Sequence, residues 1–331
     1  MGARGRVRAP ACAPARGPAE GGARTRAGER CGPSKTVAEM SSCTVAGATS
    51  RVLLAPSEAP AQHRYRGLAG PRSRLSGRCS PAGLARRAWL VRLRRALSED
   101  RFVLHYQPIV SLLDGRTSHH EALVRLADEN DGQPLAPACF LPAAERHGLI
   151  CEIDRMVLDK VASVLGSAEA GSSVRIAVNL SALSVSDGRM LCYIERVLAR
   201  HGAPPWRLVI ELTETASICD MRQAQAFCAG AQALGCAVAL DDFGVGFGAL
   251  HYLKHLPFSY LKIDGDFIRG LPRSTHDQLV VRALVGLARG IGFSTIAEFV
   301  RDRATMRILR ELGVDYAQGF HVGRPRALAP L

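Results

Sequence analysis

Short apolar runs alternate with helical patterns along the last two-thirds of this 331-residue chain. The strand candidates are Phe102–Tyr106, Ser118–Arg125, Val174–Leu180, Leu208–Leu212, Ala237–Leu240, Tyr260–Ile263, Ser294–Ala297 and Tyr316–His321. The helix candidates are Leu84–Leu97, Ile153–Leu165, Met190–His201, Met221–Leu234, Gly246–His255, Asp277–Gly290 and Arg303–Leu312. This alternation predicts an α/β fold, a closed (β/α)8 barrel of the TIM type, with a doubly wound open sheet as the alternative.

The basic residues are concentrated in the N-terminal third of the chain. Residues 1–95 hold 19 Lys and Arg against 4 Asp and Glu, whereas residues 96–331 hold 24 against 26. Residues 1–83 are also poor in apolar side chains, so we predict a disordered basic tail there and a barrel domain over residues 84–329. The tail could instead be an arm for nucleic acid or anionic lipid, and its partner is unknown. We expect the barrel itself to bind no nucleic acid.

The ten cysteines include no Cys-x-x-Cys pair, which predicts reduced thiols rather than a disulfide framework or a zinc site. No apolar run has the length of a membrane span, and the N-terminus lacks the apolar stretch of a secretory signal. We therefore predict a cytoplasmic protein. The Arg-rich, acid-poor N-terminus also fits an organellar transit peptide.

Acidic or amide residues stand at the ends of five apolar runs: Glu121, Asn179, Glu211, Asp241 and Glu298. Buried carboxylates are costly unless a cation neutralises them, and strand ends meet at one mouth of a barrel. Oxygen ligands without Cys or His favour Mg²⁺ or Mn²⁺. With Asp242 and Asp264 added, the set could hold two ions about 3.5–4 Å apart, an arrangement that promotes attack of water on a phosphodiester.

Two further roles follow from position within the runs. Lys262 is a cation on an apolar strand, where it could orient the attacking water or offset phosphate charge. Glu298 is the candidate general base. Each residue also has a structural interpretation, because strand-end acids often cap helices or form ion pairs. Lys262 could simply pair with Asp241 or Asp264.

Eight motifs occur in the order found in one family, and the match runs from about residue 84 to residue 326. They are Gln107-Pro108-Ile109, Glu121-Ala122-Leu123-Val124-Arg125, Asn179-Leu180-Ser181-Ala182, Glu211-Leu212-Thr213-Glu214, Asp241-Asp242-Phe243-Gly244, Lys262-Ile263-Asp264, Ala297-Glu298 and Gln318-Gly319-Phe320. In these motifs the chain resembles the EAL-domain family of cyclic di-GMP phosphodiesterases. The number and order of the motifs make this resemblance specific.

The resemblance implies a modified barrel whose first strand runs antiparallel to the others. It implies a homodimer that opens cyclic di-GMP to linear pGpG in bacterial second-messenger signalling. The resemblance implies that Glu121, Asn179, Glu211 and Asp241 bind a metal ion, and that Asp242 and Asp264 bind a second metal ion or its water. It implies that Lys262 and Glu298 act on the nucleophile, and that the substrate is contacted by Gln107, Leu123, Arg125 and Gln318. It also implies that Glu214 supports a loop that couples dimerisation to activity.

Two segments depart from the family pattern. Hydroxyl-bearing residues are usual in the loop after the Asp pair, but here it contains Val245, Phe247, Gly248 and Ala249. The second acid after the base position is replaced by Arg301. The metal-ligand positions are all retained, which favours an active enzyme. The altered loop keeps open a second hypothesis, a receptor that binds cyclic di-GMP and signals through its dimer interface without hydrolysing it.

Overall fold

The computed structural model describes residues 86–127, 133–167, 173–213, 221–244 and 253–327. Several predictions concern parts of the chain outside these ranges: the disordered tail, Glu214, the altered loop at Val245–Ala249 and most of the helix predicted at Gly246–His255. These remain predictions.

Eight strands form a closed barrel in sequence order. They are β1 Phe102–Ser111, β2 Thr117–Leu126, β3 Arg175–Asn179, β4 Leu208–Thr213, β5 Ala237–Phe243, β6 Tyr260–Ile263, β7 Ser294–Ala297 and β8 Tyr316–Gln318. β1 pairs antiparallel with both β2 and β8, and every other pairing is parallel. The modified barrel is thus confirmed, and the open doubly wound sheet is wrong because β8 closes onto β1.

The first strand continues beyond its predicted end, through Pro108 to Ser111. Proline cannot donate a ladder hydrogen bond, so the sequence favoured a strand that ends before it. Tyr106 exchanges backbone hydrogen bonds with Arg326, and the ladder to β8 begins only at Ile109. Pro108 lies between these two pairings, where its lack of an N–H is tolerated.

The helices described here surround the barrel. They are α1 Arg86–Ser98, α2 Pro137–Arg146, α3 Ile150–Ser167, α4 Ala182–Val185, α5 Met190–His201, α6 Met221–Ala233, α7 Gly265–Ile268, α8 Thr275–Ile291 and α9 Arg303–Leu312. Of these, α2, α4 and α7 were not predicted. α2 begins with Pro137 and contains Pro142, a composition typical of loops, although proline is well suited to the first turn. The four-residue helices α4 and α7 are too short to show a periodic pattern.

The base of the barrel interior is packed with apolar side chains. They are Ile109, Ala177, Val209, Ala239, Tyr260 and Ile296. His119 lies among them, with its ring edge-on to Tyr260 and Tyr316 at centroid distances of 4.9 and 5.1 Å. Burial lowers the pKa of His119 to about 4, so its ring is neutral at physiological pH. This apolar layer fills the barrel interior below the polar residues at its mouth.

Cys151, Cys192, Cys228 and Cys236 are free thiols. Within the described ranges no helix combines the length and apolar character needed to cross a bilayer.

Candidate active site

The eight strands place one polar side chain each at the same end of the barrel. The set is Gln107, Glu121, Asn179, Glu211, Asp241, Lys262, Gln318 and, directly after β7, Glu298. The strand register explains the convergence: Gln107 is opposite Glu121, and Asn179 is opposite Glu211. Side chains alternate between the two faces of a strand, so these residues share the inner face with the apolar layer beneath them. All the predicted strand-end acids are thereby brought together.

Lys262 stands at the centre of this set and is 1% exposed. Its Nζ lies 2.8 Å from a Glu298 oxygen and 2.9 Å from oxygens of both Glu211 and Asp241. A Glu121 oxygen is 3.8 Å away. The predicted pairing with Asp241 is present. One ammonium thus contacts four carboxylates, which leaves negative charge that the lysine alone does not balance.

Glu121 is held by amide donors on both sides. Its Oε1 accepts from Asn179 Nδ2 at 2.6 Å, and its Oε2 accepts from Gln318 Nε2 at 2.5 Å. Gln318 also donates to Gln107 Oε1 at 3.3 Å, and Gln107 donates to the carbonyl of Gly323 at 3.1 Å. These bonds fix the direction of the Glu121 carboxylate across β1, β2, β3 and β8.

A β-bulge brings the neighbouring acids Asp241 and Asp242 to one site. Alternation along a strand would send consecutive side chains to opposite faces. The β5–β6 register shifts between Leu240 and Phe243, and Asp242 has a φ of +56°. Asp242 N–H donates to Asp241 Oδ1 at 3.1 Å. The bulge therefore redirects the chain so that both carboxylates face the cavity.

The crowded carboxylates have perturbed pKa values. Burial raises the pKa of Glu211 and of Glu298 well above the ordinary value; Lys262 opposes this, and neighbouring carboxylates add to it. Burial, reinforced by Asp241, raises the pKa of Asp242 to about 7. Burial alone would lower the pKa of Lys262, but Asp241, Glu121, Glu211 and Glu298 raise it well above its usual value. Lys262 therefore carries a positive charge, and the neighbouring carboxyl groups compete with one another for protons.

The donor set fits a divalent cation. Single oxygens of Asp241, Asp242 and Glu298 lie within 4.8 Å of one another. The second oxygen of Glu211, Oε1, is buried and has no hydrogen-bond partner among the described residues. An orphaned buried carboxylate oxygen is costly, and oxygen ligands of this kind suit Mg²⁺, Mn²⁺ or Ca²⁺. Asp264 lies beside this group and adds to the raised pKa of Asp242, while it caps α7 by accepting from Asp266 N–H at 2.6 Å.

A cavity of about 440 Å³ opens above the carboxylates. The four residues expected to contact substrate, Gln107, Leu123, Arg125 and Gln318, all line it. This volume falls within the range typical of small-molecule sites. Within the described ranges, the residues predicted to bind metal, to act as base and to contact substrate lie together at one site. Of these, Glu211 and Asp264 lie beneath or beside the cavity wall.

Asp154 lines the same cavity but was missed by the sequence analysis. Its Oδ2 accepts from the hydroxyls of Ser181 at 2.7 Å and Ser184 at 2.6 Å, and from Ser181 N–H at 3.1 Å. Burial raises its pKa although these hydrogen bonds lower it. The signal was present, because Asp154 occupies an apolar-face position of α3 beside Ile153.

Phe299 follows the candidate base and has a φ of +54°, an uncommon value for a non-glycine residue. Its ring covers Gly265, where a Cβ would collide with the ring. The Arg269 guanidinium stacks on the same ring, 4.3 Å from its centroid. The ring thus closes the cavity wall between β6 and β7.

Carboxylates at the carboxyl ends of the strands of a closed barrel, beneath an open cavity, define an enzyme-type barrel site. Residues 90–325 match the model of the EAL domain, and the chain belongs to this family.

Curated relatives support the assignment. The chain is 34% identical over 242 residues to "Cyclic di-GMP phosphodiesterase PdeF" of Escherichia coli, covering 73% of this chain and 32% of that protein. It is 36% identical over 243 residues to "Cyclic di-GMP phosphodiesterase PdeB" of Shewanella oneidensis, covering 73% of this chain and 28% of that protein. The chain therefore spans about a third of the length of these relatives.

A similar solved structure is the PaMucR phosphodiesterase in complex with c-di-GMP. It has a TM-score of 0.67 and 36% identity, and the match covers 72% of this chain and 97% of that one. The Xanthomonas citri FimX EAL domain in complex with c-diGMP gives a TM-score of 0.68 and 34% identity, covering 73% of this chain and 95% of that one.

Proposed function

We propose that this protein hydrolyses cyclic di-GMP to linear pGpG in a metal-dependent reaction of bacterial second-messenger signalling. The observation that carries the proposal is the set of carboxylates around the buried Lys262, at the floor of a cavity large enough for a nucleotide. The printed names of PdeF and PdeB, and the c-di-GMP bound in the PaMucR and FimX structures, support the substrate.

We assign metal binding to Glu121, Asn179, Glu211 and Asp241, and a second ion or its water to Asp242 and Asp264. The ions would be Mg²⁺ or Mn²⁺. When bound, they would polarise the phosphodiester and lower the pKa of a coordinated water. The excess of carboxylates over Lys262 favours this assignment, because the extra negative charge needs either protons or metal cations.

Glu298 would accept the proton of the attacking water. Its raised pKa makes it a stronger base than an exposed glutamate. Lys262, 2.8 Å from a Glu298 oxygen, would hold that carboxylate in place and offset the charge that develops on the phosphate.

Gln107, Leu123, Arg125 and Gln318 would contact the dinucleotide from the cavity wall. Asp154 adds a carboxylate that could accept from the N–H groups on the edge of a guanine base. Glu214 would brace the neighbouring loop and couple a homodimer to activity. We also propose a cytoplasmic location and no nucleic-acid partner for the barrel.

The alternative is a receptor that binds cyclic di-GMP without turnover. To separate the two, the full chain is incubated with cyclic di-GMP and Mn²⁺, and pGpG is followed by chromatography, with binding measured in parallel by calorimetry. Product that disappears in Glu121→Ala, with Glu311→Gln as an exposed control, supports the enzyme. Binding without product supports the receptor, and absence of binding contradicts both.

Metal and pH should affect stability together. The folded-state pKa of Asp242, about 7, is above the unfolded value of 3.8, so the folded protein holds a proton that the unfolded chain has lost. Without metal, stability should therefore fall as the pH rises from about 4 to about 7. We expect the melting temperature to drop by roughly 5 °C or more across this window.

The measurement is a thermal melt in EDTA, repeated with Mg²⁺ or Mn²⁺. The added ions should raise the melting temperature more at pH 8 than at pH 5, because they compete with protons for the same oxygens. Asp242→Asn should weaken the pH dependence without abolishing it, because the pKa values of Glu211 and Glu298 are also raised. Equal stabilisation by metal at both pH values would contradict the assigned ligand set.

A further inference from the structure

Two arginines at the mouth of the cavity, Arg301 and Arg324, have no part in the chemistry assigned above. Both line the cavity and both are exposed. Among the described residues neither guanidinium forms an ion pair with a carboxylate, and no unprinted partner holds either one. They are therefore free to bind an anion that enters the cavity.

The backbone fixes the direction of residue 301. Val300 N–H donates to the carbonyl of Gln318 at 2.9 Å, and the Val300 carbonyl accepts from His321 N–H at 3.1 Å. This pairing needs glycine at position 319, where a Cβ would collide with the Val300 backbone. Val300 is fully buried in the outer core, and its neighbours Phe299 and Arg301 both line the cavity. Arg301 is thus held at the rim by an ordered segment.

Arg324 is held by an aromatic ring. Its guanidinium lies 4.4 Å from the centroid of Phe320, which is 51% exposed and lines the same cavity. Stacking engages the face of the guanidinium and leaves its N–H groups available in the plane. Arg324 can therefore donate hydrogen bonds to a ligand while it remains stacked.

The charge distribution separates two kinds of phosphate site. Glu121, Asp241, Asp242 and Glu298 lie at the floor with Lys262, where a phosphate can approach only with metal cations. Arg301 and Arg324 lie at the rim, where an anion needs no metal. Cyclic di-GMP carries two phosphodiesters, and only one of them can be at the floor when it is hydrolysed.

We propose that Arg301, with Arg324 on the same rim, binds the phosphodiester of cyclic di-GMP that is not hydrolysed. The inference rests on the proposed function for the identity of the ligand. Arginine forms paired, charge-assisted hydrogen bonds to phosphate oxygens, so these residues would set affinity rather than the rate of the chemical step. Their contribution would fall with added salt, since both side chains are exposed.

The test is the Kd of cyclic di-GMP for the full chain in EDTA, measured by calorimetry, so that no metal-dependent turnover intervenes. Arg301→Gln should raise Kd about tenfold, and Arg301→Glu should raise it more. Arg301→Lys should lose less affinity than Arg301→Gln, because it keeps the charge but cannot form the paired hydrogen bonds. Arg303→Gln, two residues along and outside the cavity, is the matched control and should bind as the wild type does.

With Mg²⁺ or Mn²⁺ present, Arg301→Gln should raise KM by a similar factor and leave kcat within about twofold of wild type. The difference in Kd between wild type and Arg301→Gln should shrink in about 0.5 M salt. Wild-type affinity in both Arg301→Gln and Arg324→Gln would overturn the inference and leave the proposed function intact. A wild-type protein that binds no cyclic di-GMP in EDTA and forms no pGpG with Mg²⁺ or Mn²⁺ would overturn both.

Discussion

Glu298→Gln is expected to lower kcat for cyclic di-GMP hydrolysis by about 10³-fold, with little change in substrate affinity. Glutamine has nearly the same shape but cannot accept the proton of the attacking water. Glu298 is 8% exposed and bonded to Lys262, so the wild-type carboxylate is held in one position. The measurement is steady-state turnover of cyclic di-GMP with Mg²⁺ or Mn²⁺, together with a calorimetric Kd.

Glu311→Gln is the matched control, because Glu311 is an exposed glutamate on α9 whose partner is Arg307. It should retain wild-type kcat. If Glu298→Gln kept more than about a tenth of wild-type kcat, the role of general base would belong to another group. A parallel loss of binding would instead indicate that Glu298 is mainly a metal ligand.

Lys262→Met is expected to lower the free energy of unfolding of the metal-free protein by about 3–5 kcal/mol. Lys262 contacts four buried carboxylates, and its removal leaves their charge without a counter-ion. The carboxyls can take up protons instead, so the loss should be smaller at pH 5 than at pH 8. Chemical denaturation in EDTA at both pH values measures this effect.

Lys160→Met provides the comparison, since Lys160 pairs at 2.6 Å with Asp100, which is 71% exposed. A surface ion pair contributes about 0–1 kcal/mol, so this variant should change stability little. If Lys262→Met were no more destabilising than Lys160→Met, the carboxylates would have to be neutral in the folded protein. Saturating Mg²⁺ or Mn²⁺ should restore part of the stability of Lys262→Met, because the ions replace its charge.

Much of the fold could be predicted because the strands are short apolar runs bounded by polar residues. The boundaries of β6 and β7, Tyr260–Ile263 and Ser294–Ala297, agree with the prediction at every residue. β1 was predicted too short because Pro108 is compatible with a strand only through the pairings of its neighbours. α2 was missed for the same kind of reason, since its two prolines favour a loop in isolation.

The sequence could predict which residues form the candidate site, but it could not predict how they are arranged. The sequence identified the acids at the strand ends, and the closed barrel brings them together. It could not show that a bulge turns Asp242 inward, or that Lys262 contacts four carboxylates at once. Asp154 was missed because its hydroxyl partners, Ser181 and Ser184, are more than 25 residues away in the chain. The catalytic and metal-binding roles of all these residues remain predictions.

The most direct test of a metal-dependent phosphodiesterase is to remove and restore the metal. The full chain, stripped with EDTA and dialysed, is mixed with cyclic di-GMP, and pGpG is followed by chromatography before and after addition of Mg²⁺ or Mn²⁺. The account predicts no pGpG without the ion and rapid formation once it is added, with none from Glu121→Ala. Metal-independent pGpG, or no pGpG with either ion from a protein that binds cyclic di-GMP, would contradict it.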